Sequence, residues 1–405
     1  MVSESASHVL LVGQRVSDRG YHRVVRARDL GIEIGRLAPG PLNSISDVPG
    51  VRVGHTTLIE GDGPLRVGDG PVRTGVTVIV PHDGDIWREP LFAGCHRLNG
   101  NGELTGLEWI RESGLLGGAI GLTNTHSVGV VHDALIAAAA RSRGDDEFWS
   151  LPVVGETYDG ALNDMNGFHV RPEHVEAALA GASSTVAEGG VGGGTGAICH
   201  ELKGGIGTAS RRLDPSMGGW TLGVLVQANY GRRELLRIDG VPVGREIGRG
   251  ELPSAWDQLD SVGRGPARSG ADGGSIIVIV ATDAPLLPHQ CARLAQRPAL
   301  GLGRMGSFAS NSSGDLFLAF ASGNRGVSAG GGESDLRLTN TVSMVVDGQI
   351  DPLFEATVEA TEEAIVNALL AAETMTGRDG ITAHALPHDR LREVMERYGR
   401  LQAHR

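Results

Sequence analysis

A serine hydroxyl that follows a glycine can attack the preceding carbonyl, because glycine has no Cβ to obstruct the approach. Gly274-Ser275 is such a junction. Attack gives an ester by an N-to-O acyl shift, water cleaves the ester, and a new chain then begins at the serine. Its free α-amine, with a reference pKa of about 7.7 to 8.0, can take up the hydroxyl proton, so nucleophile and base share one residue. A bare Gly-Ser dipeptide is too common to signify. Its setting is what matters: the stretch from Ser261 to Gly274, rich in Gly, Pro, Arg and Ser, breaks abruptly into the apolar, β-branched run Ser275 to Val280. Such a break reads either as a domain boundary or as an exposed, mobile linker ahead of a buried strand.

Other residues have types and spacings that suit the same chemistry. Ser313 and Asp315 stand two apart and share a face of extended chain, so the carboxylate can orient the hydroxyl in a relay to a nucleophile. A Ser-Gly-Asp turn feeding a strand would look the same. Glu156 and Tyr158 follow the apolar run from Leu151 to Val154, and a carboxylate at a pocket mouth there would bind an ammonium group, or simply be solvated. Asn229, in the turn-like Ala228-Asn229-Tyr230-Gly231, can donate its amide to an oxyanion or serve the turn alone. The run Gly189 to Gly196 lacks the Gly-Lys-Ser/Thr ending of a phosphate loop. The 14 histidines form no HExxH motif, and Cys95, Cys199 and Cys291 form no CxxC, so no metal or cofactor is expected. The thiols are read as buried.

These residues must be held by a folded frame. Of 405 residues, 62 are glycine, without a G-X-Y period, which points to many tight turns and close backbone approaches. A net charge of -12 and 4% aromatic residues argue against a nucleic-acid partner. No stretch has the length of a membrane span or a signal-peptide core, so a cytoplasmic location is the default expectation. Residues 1–27 read as an N-terminal extension and 28–405 as a single domain. Strands are expected at Gly75–Val80, Trp220–Val226 and Ser275–Val280, and helices at Val128–Ala140, Pro288–Ala299 and Pro352–Met375. Strands mixed with helices fit a layered α/β sandwich.

With these residues in place, the chain resembles the DmpA family of L-aminopeptidases/D-esterases, which includes the β-peptidyl aminopeptidases. The resemblance runs from about Gly31 to Ala385 and rests on ordered segments, among them Asn43 to His55, Gly75 to Val80, Asn99-Gly-Asn-Gly-Glu103, Thr123-Asn-Thr125, Glu156 to Gly160, Gly204 to Thr208, Asp272 to Ile277 and Ala281 to Leu286. It implies an αββα sandwich, like that of the ornithine acetyltransferase-like proteins, and self-cleavage at Gly274-Ser275 into residues 1–274 and 275–405. It implies Ser275 as nucleophile, Asn229 in the oxyanion hole, Tyr158 lining the site, and Glu156 as the acid that receives the substrate amine. Ser313 and Asp315 match the serine and acid that support the nucleophile, with Ser312 the neighbouring alternative. Whether the α-amine of Ser275 or the Ser313–Asp315 pair is the base stays open. The implied activity is cofactor-free removal of N-terminal residues from small peptides, amino-acid amides or esters, by a homo-oligomer, commonly a tetramer of cleaved units. An acyltransferase on the same scaffold and an uncleaved binding protein are the rival readings.

Overall fold

Alternation along the central strands gives them two apolar faces. In Ser275–Thr282, Ile276, Val278 and Val280 join one hydrophobic cluster, while Ile277, Ile279 and Ala281 join another. A strand buried on both sides must lie inside a stack, and it does. The computed structural model describes residues 24–144, 148–262, 274–328 and 337–401; most of the linker between Ser261 and Gly274 lies outside them. In chain order the described strands begin with β1 (Arg52–Glu60), β2 (Val72–Val80), β3 (Leu91–Arg97), β4 (Leu115–Leu116), β5 (Ile120–Asn124) and β6 (Val153–Thr157). They continue with β7 (Ile198–Cys199), β8 (Leu202–Lys203), β9 (Gly205–Arg212), β10 (Thr221–Asn229), β11 (Ser275–Thr282) and β12 (Gly314–Ala321). The helices among the described residues are α1 (Leu107–Ser113), α2 (Val128–Arg141), α3 (Pro172–Ala180), α4 (Val243–Glu246), α5 (Ala255–Ser261), α6 (Pro288–Ala295), α7 (Pro298–Arg304), α8 (Asp351–Leu370) and α9 (His388–Arg397).

Among the described residues, one sheet runs β1-β2-β5-β6 and a second runs β4-β3-β12-β11-β10-β9. Their inner faces meet through Val53, Ile79, Ile120, Leu122 and Val153 on one side and Leu225, Ile277, Ile279, Leu318 and Phe320 on the other. Helices α2 and α3 cover the outer face of the first sheet, with Val131, Leu135 and Val175 packed on Val76, Val78 and Val154. Helices α6, α7 and α8 cover the outer face of the second through Leu294, Leu302, Ala360 and Ala364. The result is a layered α/β sandwich, in the αββα order that the family resemblance implied.

Helix α8 is buried almost all round and carries Glu359, Glu362 and Glu363 among its buried residues, so its acids need partners inside the fold. It approaches β9 so closely that a Cβ on Gly207 would lie 2.0 Å from the Ala364 carbonyl oxygen. The fully buried Arg211 of β9 then ties the helix down, with Nε 2.9 Å from Glu359 and Nη2 2.8 Å from Glu363. Because β9 pairs with β10, this clamp also seats the strand that ends in Asn229.

Four expectations need correction. The packed structure includes residues assigned to the extension: Ala27 is fully buried, and Arg26 lies 2.7 Å from Glu188 and bonds the carbonyl oxygens of Asn43 and Thr208. The helix expected at Pro288–Ala299 is two helices, because Pro298 has no N–H to continue the first and instead starts the second. The last long helix stops at Leu370 rather than Met375, where Ala371 turns its carbonyl against Gly189, a tertiary contact that propensity does not encode. Cys199 and Cys291 are buried as expected, but Cys95 is only half-buried. Among the described residues, no helix is long and apolar enough to cross a membrane.

Arg211→Met should destabilise the fold by about 3–5 kcal/mol, since it leaves two buried carboxylates without their shared cation. Denaturant unfolding checks this, and a loss below about 1 kcal/mol would show that the clamp contributes little.

Candidate active site

Three strand ends meet at Ser275. It is the first residue of β11, opposite Asn229 in the antiparallel ladder with β10 and level with Gly314 in the parallel ladder with β12. Directly opposed residues project to the same face, so Asn229 and Ser275 both point toward the inter-sheet side that Ile277 and Ile279 occupy. Ser275 is buried, and its Oγ accepts the Gly314 N–H at 3.1 Å. A Cβ on Gly274 would lie 2.3 Å from the Asn229 carbonyl oxygen and 2.6 Å from Tyr230 Cα, so the residue before the serine must be glycine.

Asn229 ends a strand and is not the turn residue that the sequence allowed. Its Oδ1 accepts the Ile198 N–H at 2.7 Å, and its Nδ2 donates to the Tyr158 carbonyl oxygen at 2.9 Å. These two bonds fix which end of the carboxamide is the donor. One Nδ2 hydrogen goes to Tyr158, which leaves the other for an acceptor in the site. Tyr158 therefore reaches Asn229 through its backbone, while its ring folds back over Gly160, where a Cβ would lie 2.6 Å from the phenol oxygen.

Ser313 and Asp315 do come together: the Ser313 hydroxyl donates to Asp315 Oδ1 at 2.6 Å. Ser312 is exposed, whereas Ser313 is buried. Asn99 adds a longer bond, Nδ2 to Asp315 Oδ2 at 3.4 Å, and its own carbonyl accepts the Asp315 N–H. Burial pushes the Asp315 carboxyl above its usual range, against the pull of Ser313 and Asn99. Strand alternation sets Asp315 on the face of Phe317, opposite the face that carries Ser275. The pair is thus joined to Ser275 by the Gly314 backbone between them, not by the shared strand face that their spacing alone suggested.

Glu156, expected at a pocket mouth, is instead almost wholly buried in β6 of the facing sheet. Oε1 accepts the Glu103 N–H at 3.1 Å and Oε2 accepts the Thr125 hydroxyl. Burial raises its pKa above the ordinary carboxylate value, and those two donors offset part of that rise. Gly102 lies between this acid and the Gly314 backbone that bonds Ser275: a Cβ there would lie 2.9 Å from Glu156 Oε1 and 3.4 Å from Gly314 Cα. Thr125, Asn99, Gly102 and the Gly314 amide had no role assigned from sequence. Their segments, Thr123-Asn-Thr125 and Asn99-Gly-Asn-Gly-Glu103, were recognisable, but only the fold shows what they touch. Among the described residues, no group of three His, Cys, Asp or Glu side chains is placed to hold a metal ion.

The site thus offers a hydroxyl at a strand start, an oriented amide donor opposite it, and a buried acid across the sheets, which is an arrangement for acyl transfer from a substrate bearing an amine. Comparison with known proteins bears on this directly. The profile of Peptidase family S58 matches residues 43–383. Beta-peptidyl aminopeptidase BapA of Sphingosinicella microcystinivorans is 48% identical over 379 residues, covering 93% of each chain. A beta-aminopeptidase structure from Burkholderia sp. superposes with a TM-score of 0.84 at 53% identity, over 93% of this chain and 99% of that one. The L-aminopeptidase D-Ala-esterase/amidase of Ochrobactrum anthropi, described as a prototype serine aminopeptidase and a variant of the Ntn hydrolase fold, gives a TM-score of 0.83 at 43% identity, over 93% and 99%.

A raised pKa means that Glu156 is charged only above a higher pH than usual for a carboxylate, so a role in holding an ammonium would be lost as pH falls. The KM for amine-bearing substrates should therefore rise on mild acidification, and Glu156→Gln should raise KM and flatten that dependence. A KM unaffected by pH in the wild type would remove Glu156 from amine binding.

Proposed function

The chain belongs to peptidase family S58 and is a serine aminopeptidase, and from that premise we propose that it matures by cutting its own Gly274-Ser275 bond and then works through Ser275. The observation that carries this reading is the placement of Ser275 at the start of a buried strand, directly opposite Asn229 and after a glycine that nothing else could replace. In maturation, Ser275 Oγ attacks the Gly274 carbonyl carbon, the C–N bond breaks as the nitrogen takes a proton, and an ester remains. Water hydrolyses the ester, leaving a Gly274 carboxylate and a free α-amine on Ser275.

In turnover the same hydroxyl attacks the substrate carbonyl and gives its proton to the α-amine of Ser275. Asn229 Nδ2 donates to the oxyanion. The leaving amine departs with that proton, and water then releases the acyl group from Ser275. The α-amine is the base this reading favours, since Asp315 is occupied by the hydrogen bond it accepts from the Ser313 hydroxyl and lies on the other strand face. Ser313 and Asp315 instead fix the Gly314 end of the site. Glu156 holds the substrate ammonium, which restricts the enzyme to N-terminal residues. Similarity to the β-aminopeptidases, at 48% and 53% identity, favours a β-amino acid at that position over an L- or D-residue. The tetramer of cleaved units implied by the family resemblance belongs to the same proposal and is open to light scattering.

Ser275→Ala should leave one full-length chain and abolish peptidase activity, while active wild-type protein should show a smaller fragment that begins Ser-Ile-Ile-Val. Intact mass and N-terminal sequencing decide it; any other start, or no second fragment in active enzyme, overturns the mechanism. Asn229→Ala should lower kcat roughly a hundredfold, the scale of one lost oxyanion donor. On a panel of L-, D- and β-amino-acid amides, the β-amides should be hydrolysed with the highest kcat/KM, and their inertness would refute the substrate assignment.

A further inference from the structure

The Ala197–Ile198 peptide group is bonded at both of its polar ends. Its N–H donates to Asn229 Oδ1 at 2.7 Å, and its carbonyl oxygen accepts from Lys203 Nζ at 2.9 Å. Lys203 belongs to the short β7–β8 hairpin, where it pairs with Ile198, and it is fully buried. Nζ also donates to the carbonyl oxygens of Gly204 at 2.6 Å and Gly194 at 3.4 Å. All of these partners are peptide carbonyls. Burial pulls the ammonium down to about 7, and the carbonyl oxygens that accept from it favour its charged form. The mechanism above gives this cation no task, yet an interior ammonium is costly and an apolar side chain would fill the same space.

Its bonds run in one direction. Ammonium, peptide group and Asn229 carboxamide form a chain of aligned dipoles whose last donor is the Nδ2–H available to the site. Hydrogen bonds in such a chain polarise one another, and a positive charge at its head strengthens the donor at its tail. We propose that Lys203 is a positioning residue for the oxyanion hole: through the Ala197–Ile198 peptide it orients and polarises Asn229 for the oxyanion formed when Ser275 attacks. The inference rests on the assignment of Ser275 and Asn229 made above. The Gly204 N–H donates to the same Ala197 oxygen at 3.0 Å, so the hairpin keeps a backbone bond when the ammonium is removed.

The test is a double-mutant cycle on processed enzyme with Lys203→Met, Asn229→Ala and the pair, assayed with a chromogenic amino-acid amide. Lys203→Met should lower kcat by about tenfold, a part of the roughly hundredfold worth of the oxyanion donor, with KM within about twofold of wild type. It should also weaken an aminoalkyl boronate, which forms a tetrahedral adduct on the serine, more than a non-reactive amine that only competes for the site. In the Asn229→Ala background the same substitution should cost nothing further. Equal losses in both backgrounds, with both single variants impaired, would overturn the role of Lys203 and leave the site assignment standing. An unimpaired Asn229→Ala enzyme would overturn both. Lys203→Gln, which keeps a donor but not the charge, supplies the same comparison if the methionine variant fails to fold. A lysine that only supports the loop would lower stability without coupling to Asn229.

Discussion

The pairing of Asn229 with Ser275 across the β10–β11 ladder is the contact on which the rest of this structure depends. Eight successive cross-strand pairs, from Leu222 with Thr282 to Asn229 with Ser275, set it. A slip of one residue would turn Ile277 and Ile279 out of the inter-sheet core and send Ser275 to the helix side, so burial of both strand faces locks the register. Gly274 completes the constraint, because only a residue without a side chain passes between Ser275 and the backbone at Asn229 and Tyr230.

Around that pair the protein keeps its charges dry and handles each one differently. Arg211 is surrounded by Glu359 and Glu363 and fastens α8 to β9. Glu156 and Asp315 have no ion-pair partner among the described salt bridges; hydroxyl and amide donors hold them, and burial pushes both pKa values up. Lys203 faces carbonyls alone. Charge balanced by dipoles rather than by counter-ions remains available to act on a ligand, whereas a matched ion pair is largely spent on holding the fold.

The two sheets also divide the labour. The six-stranded sheet supplies Asn229, Ser275, Gly314 and Asp315 from three adjacent strand ends, and the four-stranded sheet supplies Glu156 from β6. Gly102, in the loop after β3, is the thin spacer between them. The site is therefore built where the sandwich layers end, on rigid strand termini, with the spacing between serine and acid set by sheet-to-sheet packing.

By itself the sequence determined the strand that begins at Ser275, the glycine before it and the layered class of the fold. Those signals are local: a β-branched run, a missing Cβ and alternating periodicities. It also placed Ser313 and Asp315 within reach of each other, since a two-residue spacing on extended chain suffices for that. The tertiary structure decided that Asn229 ends a strand rather than making a turn, that Glu156 is buried, and that Asp315 lies on the opposite strand face from Ser275. It decided as well that the Ala197–Ile198 peptide group, hydrogen-bonded at both ends, links Lys203 to Asn229. Each of these depends on which strand neighbours which and in what register, and pairing between segments distant in the chain is fixed by the packing of whole faces, not by any residue's own preference.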